Sequence, residues 1–560
     1  MEYRELVAAY QDLERTSATL AKTERLAELL GTAGPDQLPR LVTLIRGTVF
    51  PAWESSELGV SSSLTKAAIR KATGISETRI EDRWRETGDL GDAAAAAVED
   101  RKQQTLLSET LTVDAVYTTL QDTASYEGEG SQQRRIDAIA SLLSSASPAE
   151  AKYIVRTVVG AMRLGVGEGI LRDAIAMAFL DGSNEASTEV ERAYHVTNDF
   201  RVVAETARRD GRGGLSNLNV QLFRPLKVML AHKADSVDAG RTEVADSREE
   251  LLAEIKYDGI RTQIHKEGDR VEVYTRRLEV ITDQFPEIAA AAEKLPRGEF
   301  IIEGEIVGYD PETERPVPFQ ELSRRVKRKY DIDELQEQLP VKVHLFDLLY
   351  EEGTTYLDTP LQTRLARLED LLPTDLQSLQ RAEFIRHPES EALETFYETA
   401  LADGHEGIMT KNLAATYQPG TRVGYMMKVK PTMEPLDLVV VRAKWSEGRR
   451  SDFLGRIYLG CYDETTDEFK EVGRMATGFT DDELGELTNR LTPLITAESG
   501  REVQVQPEVI VEVEYEEIQQ SPEYESGFAL RFPRFAGFRD DLTLEDIDTL
   551  DRVSTLYRDQ

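Results

Sequence analysis

The chain has 560 residues, 40% of them hydrophobic, with 102 acidic against 67 basic side chains and a net charge of −35 at pH 7. That length exceeds one hydrophobic core and implies two to four domains. No apolar stretch reaches the length of a bilayer span, the first residues are charged from Glu2 onward, and Cys461 is the single cysteine, which leaves no candidate secretory signal, membrane anchor, internal disulfide or cysteine metal cluster. The expected location is cytoplasmic. Lysine is scarce, 18 residues against 49 arginines. An acidic, lysine-poor composition spread along the whole chain suits a halophile's proteome, where carboxylates keep proteins hydrated. The same composition opposes nucleic-acid binding except through local basic patches.

Residues 1–225 carry apolar positions three and four apart, as in LVAAYQDLERTSATLAKTERLAELL, and predict helices broken at Gly31, Gly34-Pro35 and Gly74. In GDLGDAAAAAVED (88–100) Asp92 is a candidate N-cap, and GEGSQQRR (128–135) is a loop before another helix. RLGVGEGILRDAIAMAF (163–179) sets Gly165, Gly167 and Gly169 ahead of a helix. Such glycines either form a plain turn or present backbone N–H groups to a phosphate. RRDGRGGLSN (208–217), basic and glycine-rich, predicts the linker that closes the first domain.

From about 236 to 430 the texture changes to short strands among helices and turns: TQIHKEG, RVEVYT, FIIEGEIVGYD, VKVHLFDLLY and GIMTK. The organising stretch is EIKYDGIRTQIHKEGDRVEVYTRR (254–277), an apolar strand ending on Lys256 before an Asp258-Gly259 turn. A lysine fixed there attacks an electrophile once its amine is neutral, which calls for a depressed pKa from burial or neighbouring positive charge. Arg261 is near enough in sequence to supply that charge. FIIEGEIVGYD offers Glu303 and Glu305, which strand alternation turns to the same side. SRRVKRKY (323–330) packs five basic residues into positions 324–329 and reads as a phosphate-backbone contact or a solvated helix face. In TRVGYMMKVK (421–430) Lys428 and Lys430 alternate onto one face, which favours an anion between them.

From about 436 the chain is strand-rich again, with LDLVVVRAKW, GRIYLGCYD, FKEVGRMATG and EVIVEVEYEEIQQ around one helical insert, DDELGELTNRL (481–491). That pattern fits a small five-stranded barrel of the OB type. KWSEGRRSDFLGR (444–456) is an arginine-bearing hairpin within it.

The ordered set KYDG (256–259), TRR (275–277), EGE (303–305), HLFD (344–347), HEG (405–407), KVK (428–430) and RFPRF (531–535) resembles the covalent nucleotidyltransferase superfamily of DNA ligases, RNA ligases and mRNA capping enzymes. Over nearly the whole chain it is most similar to the ATP-dependent DNA ligases of archaea and eukaryotes, and the acidic composition points within them to a haloarchaeal source. The resemblance implies an all-α DNA-binding domain at 1–225, an α+β nucleotidyltransferase domain at 226–432 and an OB-fold domain at 433–560 with a terminal helix. It implies that Lys256 attacks ATP to form a lysyl-AMP, with Glu254 at the adenine edge and Phe346 stacked on the base. Arg261 and Arg276 would hold ribose and phosphate, and Arg422, Lys428 and Lys430 the phosphates. Glu305 would meet ribose or Mg2+, Glu406 would be the second metal-directed carboxylate, and Arg531 and Arg534 would orient the departing pyrophosphate. Arg163, Gly167 and Gly169 would meet the phosphates of nicked duplex DNA, and Gln103–Leu107 is similar in place to a sliding-clamp-binding loop. A monomer is expected. The alternative is an RNA ligase or capping guanylyltransferase, which the long helical front together with RFPRF opposes. A non-catalytic acidic scaffold is a further class and would form no protein adenylate.

Overall fold

The computed structural model describes residues 1–559 apart from 52, 55, 102–109, 246, 327, 329–331, 374–377, 432, 447–449 and 451. The Gln103–Leu107 stretch and Lys327 and Lys329 of the basic run therefore lie outside the described residues. The chain divides into two compact units, residues 1–430 and 431–560.

The first unit opens with twelve α-helices among the described residues, from Tyr3–Arg15 to Phe200–Ser216. The first helix buries Tyr3, Leu6, Val7, Tyr10 and Leu13 on one stripe, and burying a side chain of that size contributes about 1.5–3 kcal/mol. Arg156, 2% exposed, cross-links these helices through Asp89 at 2.7 and 3.0 Å and Glu14 at 3.0 Å. Asp89 is also the N-cap of the helix Leu90–Glu99, accepting from the Gly91 N–H, so that helix starts ahead of the expected Asp92 cap.

The expected breaks fare unevenly. Gly74 caps its helix at φ 75°, and the loop to 130 gives way to the helix Ser131–Ser145. Gly31 lies inside the helix Thr19–Thr32, carried by buried Leu26, Leu29 and Leu30. The expected linker at 208–217 is helix almost throughout: Phe200–Ser216 continues across it with a kink at Gly211. Leu215 is buried there, and Arg212 pairs with Asp181 at 2.8 Å and Glu189 at 3.3 Å, so tertiary contacts override the glycine-rich composition.

Two sheets follow. Their strands are β1 (Leu230–Lys233), β2 (Leu251–Lys256), β3 (Ile260–Glu267), β4 (Arg270–Thr275), β5 (Glu299–Gly308), β6 (Val341–Glu351), β7 (Thr354–Thr355), β8 (Leu379–Arg381), β9 (Phe384–Arg386), β10 (Gly407–Asn412) and β11 (Arg422–Val429). One sheet runs β1-β11-β10-β2-β9; the other runs β4-β3-β5-β6-β7 with β8 beside β6. Ile255, Ile408, Met427 and Val429 turn to a core with Val237, Leu393 and Ala400. Because side chains alternate along a strand, Glu254, Lys256, Met409, Lys411 and Lys428 share the opposite face. Ile260, Ile264, Phe300, Ile302 and Val343 likewise back the second sheet against Ile288, Leu365 and Leu368.

The basic run at 323–330 is not a uniform DNA-facing patch. Arg325 is fully buried, donating to the Gln284 carbonyl at 2.9 Å, the Leu339 carbonyl at 3.2 Å and Glu287 at 2.7 Å, over the Phe285 ring. Arg324 pairs with Glu321 one helical turn away. Breaking a buried ion pair costs about 3–5 kcal/mol. Arg325→Ala is therefore expected to lower the stability of this region by that order in chemical denaturation. A loss of DNA affinity with unchanged stability would mark it as a phosphate contact instead.

The second unit contains β12 (Leu436–Lys444), β13 (Arg456–Asp463), β14 (Glu468–Met475), β15 (Ile495–Ser499), β16 (Glu502–Val505), β17 (Ile510–Glu514), β18 (Glu517–Gln520), β19 (Phe528–Arg531) and β20 (Arg534–Phe538). β12 is central: β13 lies along one edge, while β17 pairs with its first half and β16 with its second. This gives a seven-stranded sheet, two strands more than expected, with β18 and β19 as a separate pair. The helical insert Asp481–Leu491 starts from a Thr480/Glu483 capping box, and the terminal helix Leu550–Asp559 buries Val553 in the core of this unit. Among the described residues no helix is long and apolar enough to cross a membrane.

Candidate active site

Lys256 is the last residue of β2, where the chain turns into β3. The turn is tight for steric reasons. A side chain on Gly259 would place its Cβ 2.2 Å from the Ile306 carbonyl oxygen and 3.0 Å from Glu305, so only glycine lets this loop close on β5. Gly407 is constrained equally, with φ 133° and the Val429 carbonyl 2.2 Å from a would-be Cβ. These two glycines bring Glu305 and Glu406 to Lys256. The Glu406 N–H donates to the Lys256 carbonyl at 3.0 Å, and the Glu406 carboxylate forms an ion pair with the Lys256 amine. Asp258 accepts from the Phe319 N–H at 2.8 Å and lies beside Glu406.

The electrostatics differ from the sequence expectation. Burial opposes the charge on Lys256, but paired Glu406 and nearby Glu305 and Asp258 outweigh it, holding the amine above its ordinary value. The depressed pKa is not met because the expected positive neighbour is engaged elsewhere. Arg261 donates to Glu303 at 2.8 Å and to the Met229 carbonyl at 2.6 Å. Glu305 is pushed up to about 8, by burial first, against Lys256 and Arg261 and with Glu406 and Asp258 adding. Burial also raises Glu406, but Lys256 and Lys430 more than reverse it. The two glutamates of EGE thus separate in role. Glu303 is fully buried and accepts from Arg261, Gln263 and Tyr417, while Glu305 lies next to the amine.

Oxygen donors crowded around one amine, one of them held protonated near neutral pH, form a setting that a hard divalent cation would relieve. Among the described residues no three His, Cys, Asp or Glu side chains converge as a cage.

On the first sheet, Lys428, Met409 and Glu254 lie side by side across β11, β10 and β2. Glu254, 2% exposed, pairs with Arg381 at 2.6 Å and with Lys411. On the second sheet Arg261 lies opposite Glu305 across β3 and β5. Phe346 sits where the β5–β6 register slips, Glu303 facing Asp347 and Gly304 facing Leu345; such a bulge re-aims a side chain. The ring lies 4.6 Å from the Lys411 amine and 5.5 Å from the Arg261 guanidinium carbon. The structure thus groups Lys256, Glu305 and Glu406 directly, and joins Glu254, Phe346 and Arg261 through shared contacts.

The remaining candidates fall at separate points along the chain. Arg276 is exposed on the turn after β4. Arg422 opens β11, six residues before Lys428, and donates to the Ala231 carbonyl. Lys430 follows β11 and acts on Glu406 by charge. Arg531 ends β19, paired with Glu517 at 3.0 Å, and Arg534 is exposed at the start of β20; both belong to the second unit. Arg163 donates to the Gly88 carbonyl at 2.8 Å, Gly165 turns at φ 63° and Gly167 caps the helix Glu168–Phe179. Glu168 of that helix binds Lys227 at 2.6 Å, Tyr194 at 2.8 Å and Arg46 at 3.2 Å. Sequence reasoning missed Lys411 and Arg381. The available signal was a lysine two residues beyond Met409, on the strand face of Glu254, in a chain with few lysines.

Known proteins share this organisation. The family described as DNA ligase N terminus matches residues 2–176, the ATP dependent DNA ligase domain matches 228–430, and the ATP dependent DNA ligase C terminal region matches 450–542. The chain is 45% identical to a DNA ligase of Thermococcus fumicolans over 559 residues, covering 100% of this chain and 98% of that one. It is 42% identical to a DNA ligase of Nanoarchaeum equitans, covering 100% and 99%. A solved structure described as Pmar-Lig_PreS3 shares the fold at a TM-score of 0.58 and 18% identity, over 95% of this chain and 99% of that chain. Full-length relatedness at this identity, together with all three regional matches, shows that the chain belongs to the ATP-dependent DNA ligases.

Proposed function

We propose that this chain seals nicks in duplex DNA with ATP, using Lys256 as nucleophile. The Lys256 nitrogen attacks the α-phosphorus; an N–P bond forms, the bond to the bridging oxygen breaks, and pyrophosphate leaves with that electron pair. The AMP passes to the 5′-phosphate of a nick, and the neighbouring 3′-hydroxyl displaces it to form the phosphodiester. Before attack the Lys256 proton must leave, and Glu406, already paired with the amine, is the adjacent acceptor. The observation that carries this reading is the meeting of Lys256 with Glu305 and Glu406 at the end of β2.

Glu254 and Phe346 would hold the base edge and face; Arg261 and Glu305 the ribose; Arg276, Arg422, Lys428 and Lys430 the phosphates. Glu305 and Glu406 would hold Mg2+, which supplies charge neutralisation on phosphate oxygens when bound. Arg531 and Arg534 would orient the departing pyrophosphate during adenylation. We read the chain as three functional domains, DNA-binding at 1–225, nucleotidyltransferase at 226–432 and OB-fold at 433–560. The enzyme would work as a cytoplasmic monomer, with Arg163, Gly167 and Gly169 on DNA phosphate and Gln103–Leu107 as a clamp contact.

Labelled ATP and GTP, followed by nicked DNA and nicked RNA, test the reaction. Label transferred from ATP to the protein and then to nicked DNA supports it; preference for GTP or for RNA would favour the capping or RNA-ligase alternative. The net charge of −35 supports a halophilic source. Self-repulsion at that charge is screened by salt, so the thermal midpoint is expected to rise steadily from dilute to molar KCl. A midpoint that does not move would remove the halophilic reading.

A further inference from the structure

Glu254 and Phe346 come from different sheets, yet two cations tie them together. The Arg381 guanidinium donates to Glu254 at 2.6 Å and to the Leu345 carbonyl at 2.9 Å, next to Phe346 in the chain. The Lys411 amine pairs with the other Glu254 oxygen and lies 4.6 Å from the centre of the Phe346 ring. Glu254 is 2% exposed and Lys411 7% exposed, so neither contact is a loose surface pair. Each cation thus bridges Glu254 and the Phe346 segment, Arg381 through two guanidinium nitrogens and Lys411 through its one ammonium.

We propose that Lys411 and Arg381 are positioning residues that set the selectivity of the nucleotide site for adenine by fixing Glu254 against Phe346. The inference rests on the reading that these two side chains hold the base. A carboxylate is an acceptor only, with about four lone-pair sites on its two oxygens. Two cations occupy part of that capacity and leave the rest for an N–H donor. Adenine presents an amine at C6 and guanine a carbonyl, so a Glu254 held charged and immobile accepts from the first and repels the second. Without its anchors Glu254 can turn away from the base edge, while Phe346 still stacks on any purine. Selectivity then falls although binding of a bare purine persists.

The test compares transfer of the nucleoside monophosphate to the protein from ATP, GTP and purine riboside triphosphate, which lacks the 6-amino group, in the full chain and in Lys411→Met. The wild type is expected to favour ATP over the deaminated analogue by about a hundredfold in kcat/KM, as a site built around a buried acceptor should. Lys411→Met should raise the KM for ATP about tenfold or more, leave the KM of the analogue and both kcat values nearly unchanged, and so cut the ratio by that same factor. Lys411→Arg should restore most of it. The analogue is the internal control for folding, because damage to the fold lowers both nucleotides together. If Lys411→Met forms no adduct with either nucleotide, Arg381→Lys, which keeps the charge but gives up the fork spanning Glu254 and Leu345, is read by the same ratio. Parallel losses for both nucleotides, or an unchanged ratio in every variant, would overturn the proposal. A wild-type chain that takes no AMP from ATP would instead remove the nucleotidyl-transfer reading beneath it.

Discussion

Replacing Lys256 with arginine is expected to abolish the gain of one AMP that mass spectrometry should detect after the wild type meets ATP and Mg2+. Arginine keeps the charge and can still pair with Glu406, so the local fold and the ion pair at the end of β2 should persist. The guanidinium is never neutral in a protein, so no lone pair reaches the α-phosphorus. Losing a covalent nucleophile reduces turnover by about 10^4-fold or more, and nick sealing from ATP should fall below detection. A nick supplied already adenylated should still be closed to some extent, since the last displacement uses the DNA 3′-hydroxyl. An adduct persisting in Lys256→Arg would show that another residue is the nucleophile. Lys411 and Lys428, on the same face of the sheet, would then be examined by peptide mapping.

Glu406→Gln should have the second largest effect. Glutamine preserves volume and the backbone bond from residue 406 to the Lys256 carbonyl, so the turn enforced by Gly407 should form normally. The change removes the negative charge paired with the Lys256 amine and one of the carboxylates suited to a cation. Loss of one preorganised electrostatic group in such a site lowers rates by about 10^2–10^3-fold, and protein adenylation should drop by that order with the thermal midpoint little changed. If Glu406 also holds the ion, the concentration of Mg2+ needed for half-maximal rate should rise. Adenylation within a few-fold of wild type would remove Glu406 from the reaction and leave it an ion-pair partner only.

Some of the site could be read directly from the chain, because the chemistry sits in short contiguous segments. Lys256 and Gly259 stand three apart, and the structure explains the spacing: Lys256 ends β2 at a tight turn that only glycine permits against Ile306. Alternation along one strand likewise set Lys428 on one face, while the pairing of β11, β10 and β2 brought Glu254 to that face. Helical periodicity located the first 200 residues for the same reason, as burial of one stripe repeats locally.

What sequence could not carry is whatever depends on neighbours far along the chain. The segment 208–217 reads as a linker by composition, but Arg212 finds Asp181 and Leu215 finds the core, so it folds as helix. Arg325 looks like one of five similar cations, yet only the packing of Phe285, Glu287 and Leu339 around it makes it a core residue. The charge state of Lys256 depends on Glu406, 150 positions away, and no local rule anticipates that carboxylates rather than Arg261 surround the amine. The sequence by itself determined most of the elements, their order and the placing of Lys256 at the end of a strand before a glycine turn, because these follow from local pattern. Tertiary structure alone decided which charges meet, and therefore that Lys411 and Arg381 converge on Glu254, because pairing across sheets is set by register and not by adjacency.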